Sequence, residues 1–185
     1  MTGPFPALSW APALGHPDLL APSTAAALRA WADDDASVAS QVLVTEIDPA
    51  LADTAALTAA YGLPLDASAN CVVVLGRRGG EERPAAAVVL ATTRADVNNA
   101  IRRLLDVRKA SFLAMDRAVA ETGMEYGGIT PIGLPPAWPV LVDTRVVAAD
   151  HVIIGSGLRR SKIALPGALL ARMPAVEVVE GLALA

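Results

Sequence analysis

The residues in this chain best placed to do chemistry are glycines. The stretch Gly123-Met-Glu-Tyr-Gly-Gly-Ile-Thr-Pro-Ile-Gly133 puts four glycines and one proline into eleven residues. A glycine pair reaches backbone dihedrals closed to other residues and brings bare N–H groups against a ligand, while Pro131 fixes its own φ and restricts Thr130 before it. Such a loop can hold a carbonyl or a developing oxyanion with no side chain, which suits ester or phosphate recognition. The same string also fits a plainer role, a helix C-cap at Gly123 followed by a tight connection.

Side-chain chemistry is sparse by comparison. Ser156 or Ser161 can be combined on paper with His151 and Asp143, but no G-x-S-x-G elbow brackets either serine. Two isolated histidines, His16 and His151, and the single Cys71 supply too few ligands for a metal and exclude an intramolecular disulfide. Gly155-Ser156-Gly157 lacks the G-K-[ST] of a phosphate loop and is too short for a dinucleotide fingerprint, so no cofactor and no metal are expected. Cys71, ahead of Val72-Val-Val, reads as a small buried strand residue.

Composition narrows the partners. At 185 residues the chain suits one domain, with 1–22 as an irregular proline-rich lead-in and 23–185 as the domain itself. Its 54% hydrophobic content comes mainly from Ala and Val, with 4% aromatics, so the core must be built from small side chains packed closely. No window of about eighteen apolar residues and no basic-then-apolar leader is visible, so a cytoplasmic protein without a membrane partner is expected. A net charge of −4 argues against non-specific nucleic-acid binding, and an RNA partner would have to be met by a local basic patch. Arg102, Arg103, Arg108 and Lys109 form one such cluster, though it reads first as a complement to a helix dipole and an aid to solubility.

The elements that would position these residues follow in order. Ser23 or Thr24 would cap a helix over 25–32, stopped by Asp33-Asp34-Asp35. Residues 38–47 read as a strand, and 53–61 as a helix with Gly62 at its C-cap. The apolar run 69–76, the turn at Gly79-Gly80 and the return over 85–91 make a hairpin. Thr93 would cap a helix over 94–105, 109–112 is extended, and 115–121 is a helix ended by Gly123. Residues 134–142 are extended and carry Trp138. Strands at 151–157, 161–165 and 176–179 follow, with a short helix over 166–172. The pattern is that of an α+β (mixed α/β) domain.

This order of elements resembles the YbaK / prolyl-tRNA synthetase-associated editing domain family. The likeness runs from about residue 24 to 183. It is carried by Lys109-Ala-Ser-Phe, the helix ending in Gly123, Gly127-Gly-Ile-Thr-Pro-Ile-Gly133, Leu141-Val-Asp143 and Val152-Ile-Ile-Gly-Ser-Gly-Leu-Arg-Arg-Ser-Lys-Ile163. The resemblance implies a strongly curved mixed sheet or barrel-like core with surrounding helices. It also implies a pocket that hydrolyses the ester of a mischarged aminoacyl-tRNA in trans, with aminoacyl-tRNA as partner and an aminoacyl-tRNA synthetase as a second. Gly127 and Gly128, with Ile129, Thr130, Pro131 and Gly133, would form the substrate loop; Gly155, Ser156 and Gly157 would form the adjacent wall; Lys109, Arg159 or Lys162 would meet phosphate or developing charge. Asp143 would orient the loop or the substrate amine, or serve only as a turn or cap residue.

One departure matters. The family's lysine at the start of the strand over 69–72 is replaced here by Asn70. An ammonium neutralises negative charge where an amide only donates a weaker hydrogen bond. Two functions are therefore expected: a deacylase relying on another cation, or a catalytically silent binding module that keeps the pocket.

Overall fold

The computed structural model describes residues 3–185. Eleven strands are β1 (Ala11–Pro12), β2 (Leu43–Glu46), β3 (Ala69–Arg78), β4 (Glu81–Leu90), β5 (Arg94–Ala95), β6 (Lys109–Phe112), β7 (Val140–Asp143), β8 (Val152–Gly155), β9 (Ser161–Leu165), β10 (Val176–Val179) and β11 (Ala183–Leu184). The helices are α1 (Pro22–Asp34), α2 (Val38–Gln41), α3 (Thr54–Tyr61), α4 (Arg102–Leu104), α5 (Met115–Thr122), α6 (Thr144–Val147) and α7 (Gly167–Leu170). The architecture is mixed α+β, as the residue pattern predicts. The sheets stay open instead of closing into a barrel: one runs β1-β2-β9-β8, a second β10-β7-β4-β3-β6, and β5 pairs with β11. A single parallel bridge, Ser68 to Ile153, joins the two larger sheets.

Small residues make this layering possible. Ala85, Ala86, Ala87 and Val88 at the centre of β4 are wholly buried, so the strand is covered on both faces, which needs side chains that let the layers approach. On one side Val88 and Val142 meet Leu28 and Trp31 of α1 and the inner residues of β8 and β9. On the other, Ala87 and Val89 pack with Ile101, Leu105 and Val107. Trp10 donates from Nε1 to the Phe5 carbonyl at 3.0 Å and is buried with Ile47, Leu57 and Ile153.

The hairpin, α3, α5, β6 and β8 to β10 lie where their sequence signals put them. Several local readings change. α1 begins at Pro22 with Ala21 as N-cap, because proline at the first helical position supplies its fixed φ; Thr24 is buried instead of capping. The first half of 38–47 is the helical turn α2, preceded by a turn in which the Ser37 hydroxyl and N–H donate to Asp35, and only its second half is a strand. The expected 94–105 helix is broken into β5, a π-helical turn over Val97–Ile101 and α4. Its cap is Asp96, whose carboxylate accepts from the N–H groups of Asn99 and Ala100, while the Thr93 hydroxyl donates to the Leu90 carbonyl. Of 134–142 only the last residues form strand, since the prolines before Val140 shape turns.

Candidate functional site

A cleft of about 770 Å³ opens where the two large sheets meet. Its floor and walls come from the start of β3 (Asn70, Cys71), the N-terminus of α3 (Asp53, Thr54), β8 (Ile153, Gly155), the loop residues Tyr126, Gly127 and Ile129, and the cations Arg159 and Lys162.

The glycine loop is set by both ends. Gly123 takes the left-handed conformation, φ 67°, as C-cap of α5, so the plain C-cap role is realised at the start of a loop whose later residues line the cleft. Gly133, φ 90°, lies where a Cβ would come within 2.5 Å of the Ser23 carbonyl oxygen, which fixes the loop's far end against the start of α1. Between them the chain presses on the β8–β9 connection. The Gly157 N–H donates to the Gly128 carbonyl at 2.7 Å, and the Glu125 N–H to the Gly157 carbonyl at 2.9 Å. A Cβ on Gly128 would sit 2.6 Å from the Leu158 carbonyl, and one on Gly155 would collide with the carbonyls of Gly128 and Ile129. Gly155 is therefore the backstop that lets the loop approach, while the Cβ that Gly157 lacks would collide with Ala21 at the start of α1. Among the described residues, the N–H groups of Gly127 and Ile129 have no acceptor within the chain, although both residues line the cleft.

Lys162, the second residue of β9, is buried at the base of the cleft. Its Nζ donates to the Ala52 carbonyl at 2.8 Å and to the Gly127 carbonyl at 3.4 Å, tying the lead into α3 to the glycine loop. Burial, followed by the nearby Arg159 charge, pushes its pKa down to about 8 against a smaller opposing pull from Asp53. Arg159 lies at the rim, donating to the Tyr126 carbonyl at 2.9 Å and the Pro49 carbonyl at 3.2 Å, with its own N–H on the Glu125 carboxylate. At the mouth the Thr54 hydroxyl donates to Asn70 Oδ1 at 2.9 Å, a neutral pair. Cys71 is half-buried in the wall, where desolvation pushes its thiol up to about 12, so it is protonated near neutrality and no nucleophile.

The cleft thus brings Asn70, Gly127, Ile129, Gly155, Arg159 and Lys162 together, with Gly128 and Gly157 bonded to each other behind its lining. Others stand behind or apart. Thr130 and Pro131 are buried behind the cleft. The Ser156 hydroxyl is wholly buried at 2.7 Å from that of Ser161, and among the described residues neither is hydrogen-bonded to a histidine, so neither serine is presented as a nucleophile. Asp143 lies outside the cleft lining. Its carboxylate caps α6 through the Arg145 N–H at 2.9 Å, and accepts from the Arg145 guanidinium at 2.8 and 2.9 Å and the Ala183 N–H at 3.0 Å. Burial alone would raise its pKa, but these donors outweigh it and hold the carboxyl below its usual range. Lys109 lies on a separate groove. Residues that sequence reasoning left out are Asp53, Thr54 and Ser68, each lining the cleft. Asp53 was visible only as the first residue of the helix over 53–61; it is that helix's N-cap, and nothing in the sequence brings the cap beside Asn70.

The fold has known counterparts. Over 85% of this chain and 99% of the other, it superposes on the hypothetical protein APE2540 with a TM-score of 0.72 at 18% identity. A candidate trans-editing enzyme for prolyl tRNA synthetase matches with a TM-score of 0.69 at 17% identity, over 87% of this chain and 97% of that one. No curated protein matches the sequence. The aminoacyl-tRNA editing domain model, by contrast, matches residues 48–173, which hold the cleft, the glycine loop and its backstop, and the chain belongs to that family.

Proposed function

We propose that the protein is an aminoacyl-tRNA deacylase acting in trans, hydrolysing the ester of mischarged tRNA in this cleft. The observation that supports it most is the pair of unclaimed N–H groups, Gly127 and Ile129, beside a buried ammonium. In this reading the ester carbonyl oxygen lies against those N–H groups, which stabilise the oxyanion as it forms. Lys162 holds the Gly127 carbonyl and lends positive charge that Asn70 does not. Because the ester is already activated, placing a water on the carbonyl carbon, with the vicinal ribose hydroxyl there to orient it, is most of what remains. The water oxygen bonds to that carbon as the carbon's bond to the ribose oxygen breaks, and the ribose oxygen takes the proton. Asn70, its Oδ1 held by Thr54, turns its amide hydrogens to an acceptor at the mouth. Arg159 meets the terminal phosphate, and the exposed Tyr126 ring offers a face to the terminal base.

The neutral Thr54–Asn70 pair favours a second reading, a silent module that binds the same aminoacyl end without cleaving it. Deacylation of a panel of aminoacyl-tRNAs by the native chain and by Asn70→Lys separates the two. Turnover by the native chain on at least one mischarged tRNA is expected. If only the variant turns over, the native protein is the silent module.

A further inference from the structure

A second groove, about 510 Å³, lies at the far end of the β3–β6 pair, lined by Arg77, Asn98, Arg102, Arg108, Lys109 and Ser111 among others. All six are exposed. The π-helical turn makes it: the expected helix is interrupted, Arg102 Nε donates to the Asn98 carbonyl at 2.8 Å, and the Arg108 N–H extends the ladder onto the Arg77 carbonyl at 3.0 Å. Four cations thus converge in a chain of net charge −4. The neighbouring acids reach one of them, Arg77, and leave the other three. Glu82 is shared by Arg77 and Arg117, and Asp106 by Arg78 and Arg83. Among the described residues, Arg102, Arg108 and Lys109 have no acidic partner within 4.0 Å. Such a cluster of uncompensated charge is the footprint of a polyanion.

We propose that this groove binds the phosphate backbone of the tRNA acceptor stem whose 3′ ester enters the cleft. It rests on the deacylase reading for the position of the ester. Cys71 in the cleft and Leu75 and Arg77 at the groove alternate onto one face of β3. From Cys71 to Arg77 the strand advances roughly 20 Å at about 3.3 Å per residue. On stacked nucleic acid that span corresponds to about six phosphates of one strand. This reaches past a single-stranded 3′ end into the paired stem, so the contact is with backbone and is indifferent to the amino acid carried.

The test is the folded double variant Arg102→Glu/Arg108→Glu, with Arg102→Ala/Arg108→Ala as the milder form. Binding of uncharged tRNA is followed by fluorescence anisotropy over a KCl series, and hydrolysis is compared on aminoacyl-tRNA and on the aminoacyl ester of adenosine. The expected result is a more than tenfold loss of tRNA affinity, with the salt slope of the alanine form shallower by about 2. kcat/KM should fall on aminoacyl-tRNA and stay unchanged on the adenosine ester. Unchanged tRNA affinity and slope in folded variants overturn the proposal, as does an equal loss on both substrates, or a loss confined to binding of anionic vesicles. If the wild type hydrolyses neither substrate while the variants lose tRNA, the deacylase reading fails and the groove stands.

Discussion

Replacing Lys162 with methionine removes the only buried ammonium at the base of the cleft among the described residues. Its pKa falls from 10.5 to about 8 in the folded protein, which corresponds to roughly 3 kcal/mol of bias toward the neutral amine and against the ammonium, relative to water. The folded state carries that penalty in full below pH 8. Between 8 and 10.5 the unfolded chain binds a proton the folded chain does not, so stability rises with pH there. Lys162→Met lacks this gain. In urea unfolding from pH 7 to pH 10.5, the wild type should therefore gain on the variant by up to about 3 kcal/mol. Catalysis should run the other way. Wild-type deacylation, corrected for spontaneous ester hydrolysis, should fall as pH rises through about 8 and the charge is lost, and the variant should be slow and without that fall. Parallel stability curves would refute the burial argument, and equal rates for both proteins at pH 7 would refute the role of the charge.

Two further changes separate the loop from its supports. Gly128→Ala puts a methyl 2.6 Å from the Leu158 backbone, which cannot swing aside as a side chain would. It should cost about 1–3 kcal/mol by overpacking, and more than tenfold in deacylation, measured by thermal melts beside single-turnover assays. A normal rate would mean that the loop does not touch substrate. Asp143→Asn weakens the hydrogen bonds to Arg145 and the Ala183 N–H, worth roughly 1.5–3 kcal/mol as bonds to a charged group. Because the native carboxyl is held below its usual range, its contribution is present above the ordinary carboxylate pKa and lost as pH falls through its own. The variant should melt lower at pH 7, lose less on acidification, and hydrolyse ester normally below its Tm. A selective loss of kcat would instead make Asp143 part of the site.

Local chemistry made much of this legible in the sequence. The β3–β4 hairpin, α3 between Asp53 and Gly62, and α5 ending at Gly123 are each written in a few adjacent residues, as caps, glycine turns and apolar runs. The glycine loop and Gly155-Ser-Gly157 stood out for the same reason, since backbone demands leave glycine where other residues fail. Their relation was not legible. That Gly155 is empty because Gly128 and Ile129 lean on it, and Gly157 because Ala21 and Thr24 do, are contacts between segments far apart in the chain, and no local preference encodes them.

The same limit explains the corrections and the site's charge. The helix expected over 94–105 breaks at Asp96, where β5 pairs with the C-terminal β11, and that tertiary pairing outweighs local helical propensity. Residue types by themselves pointed to backbone N–H groups as the chemistry proposed for this cleft, because the chain offers few metal ligands and no nucleophile elbow. Tertiary structure alone decided which cation serves it. Lys162 and Lys109 are equal as letters, yet one is drawn under Gly127 by β9 and desolvated, while the other is left at an exposed sheet edge. Charge acts through space and burial, and neither is carried by the order of residues along the chain.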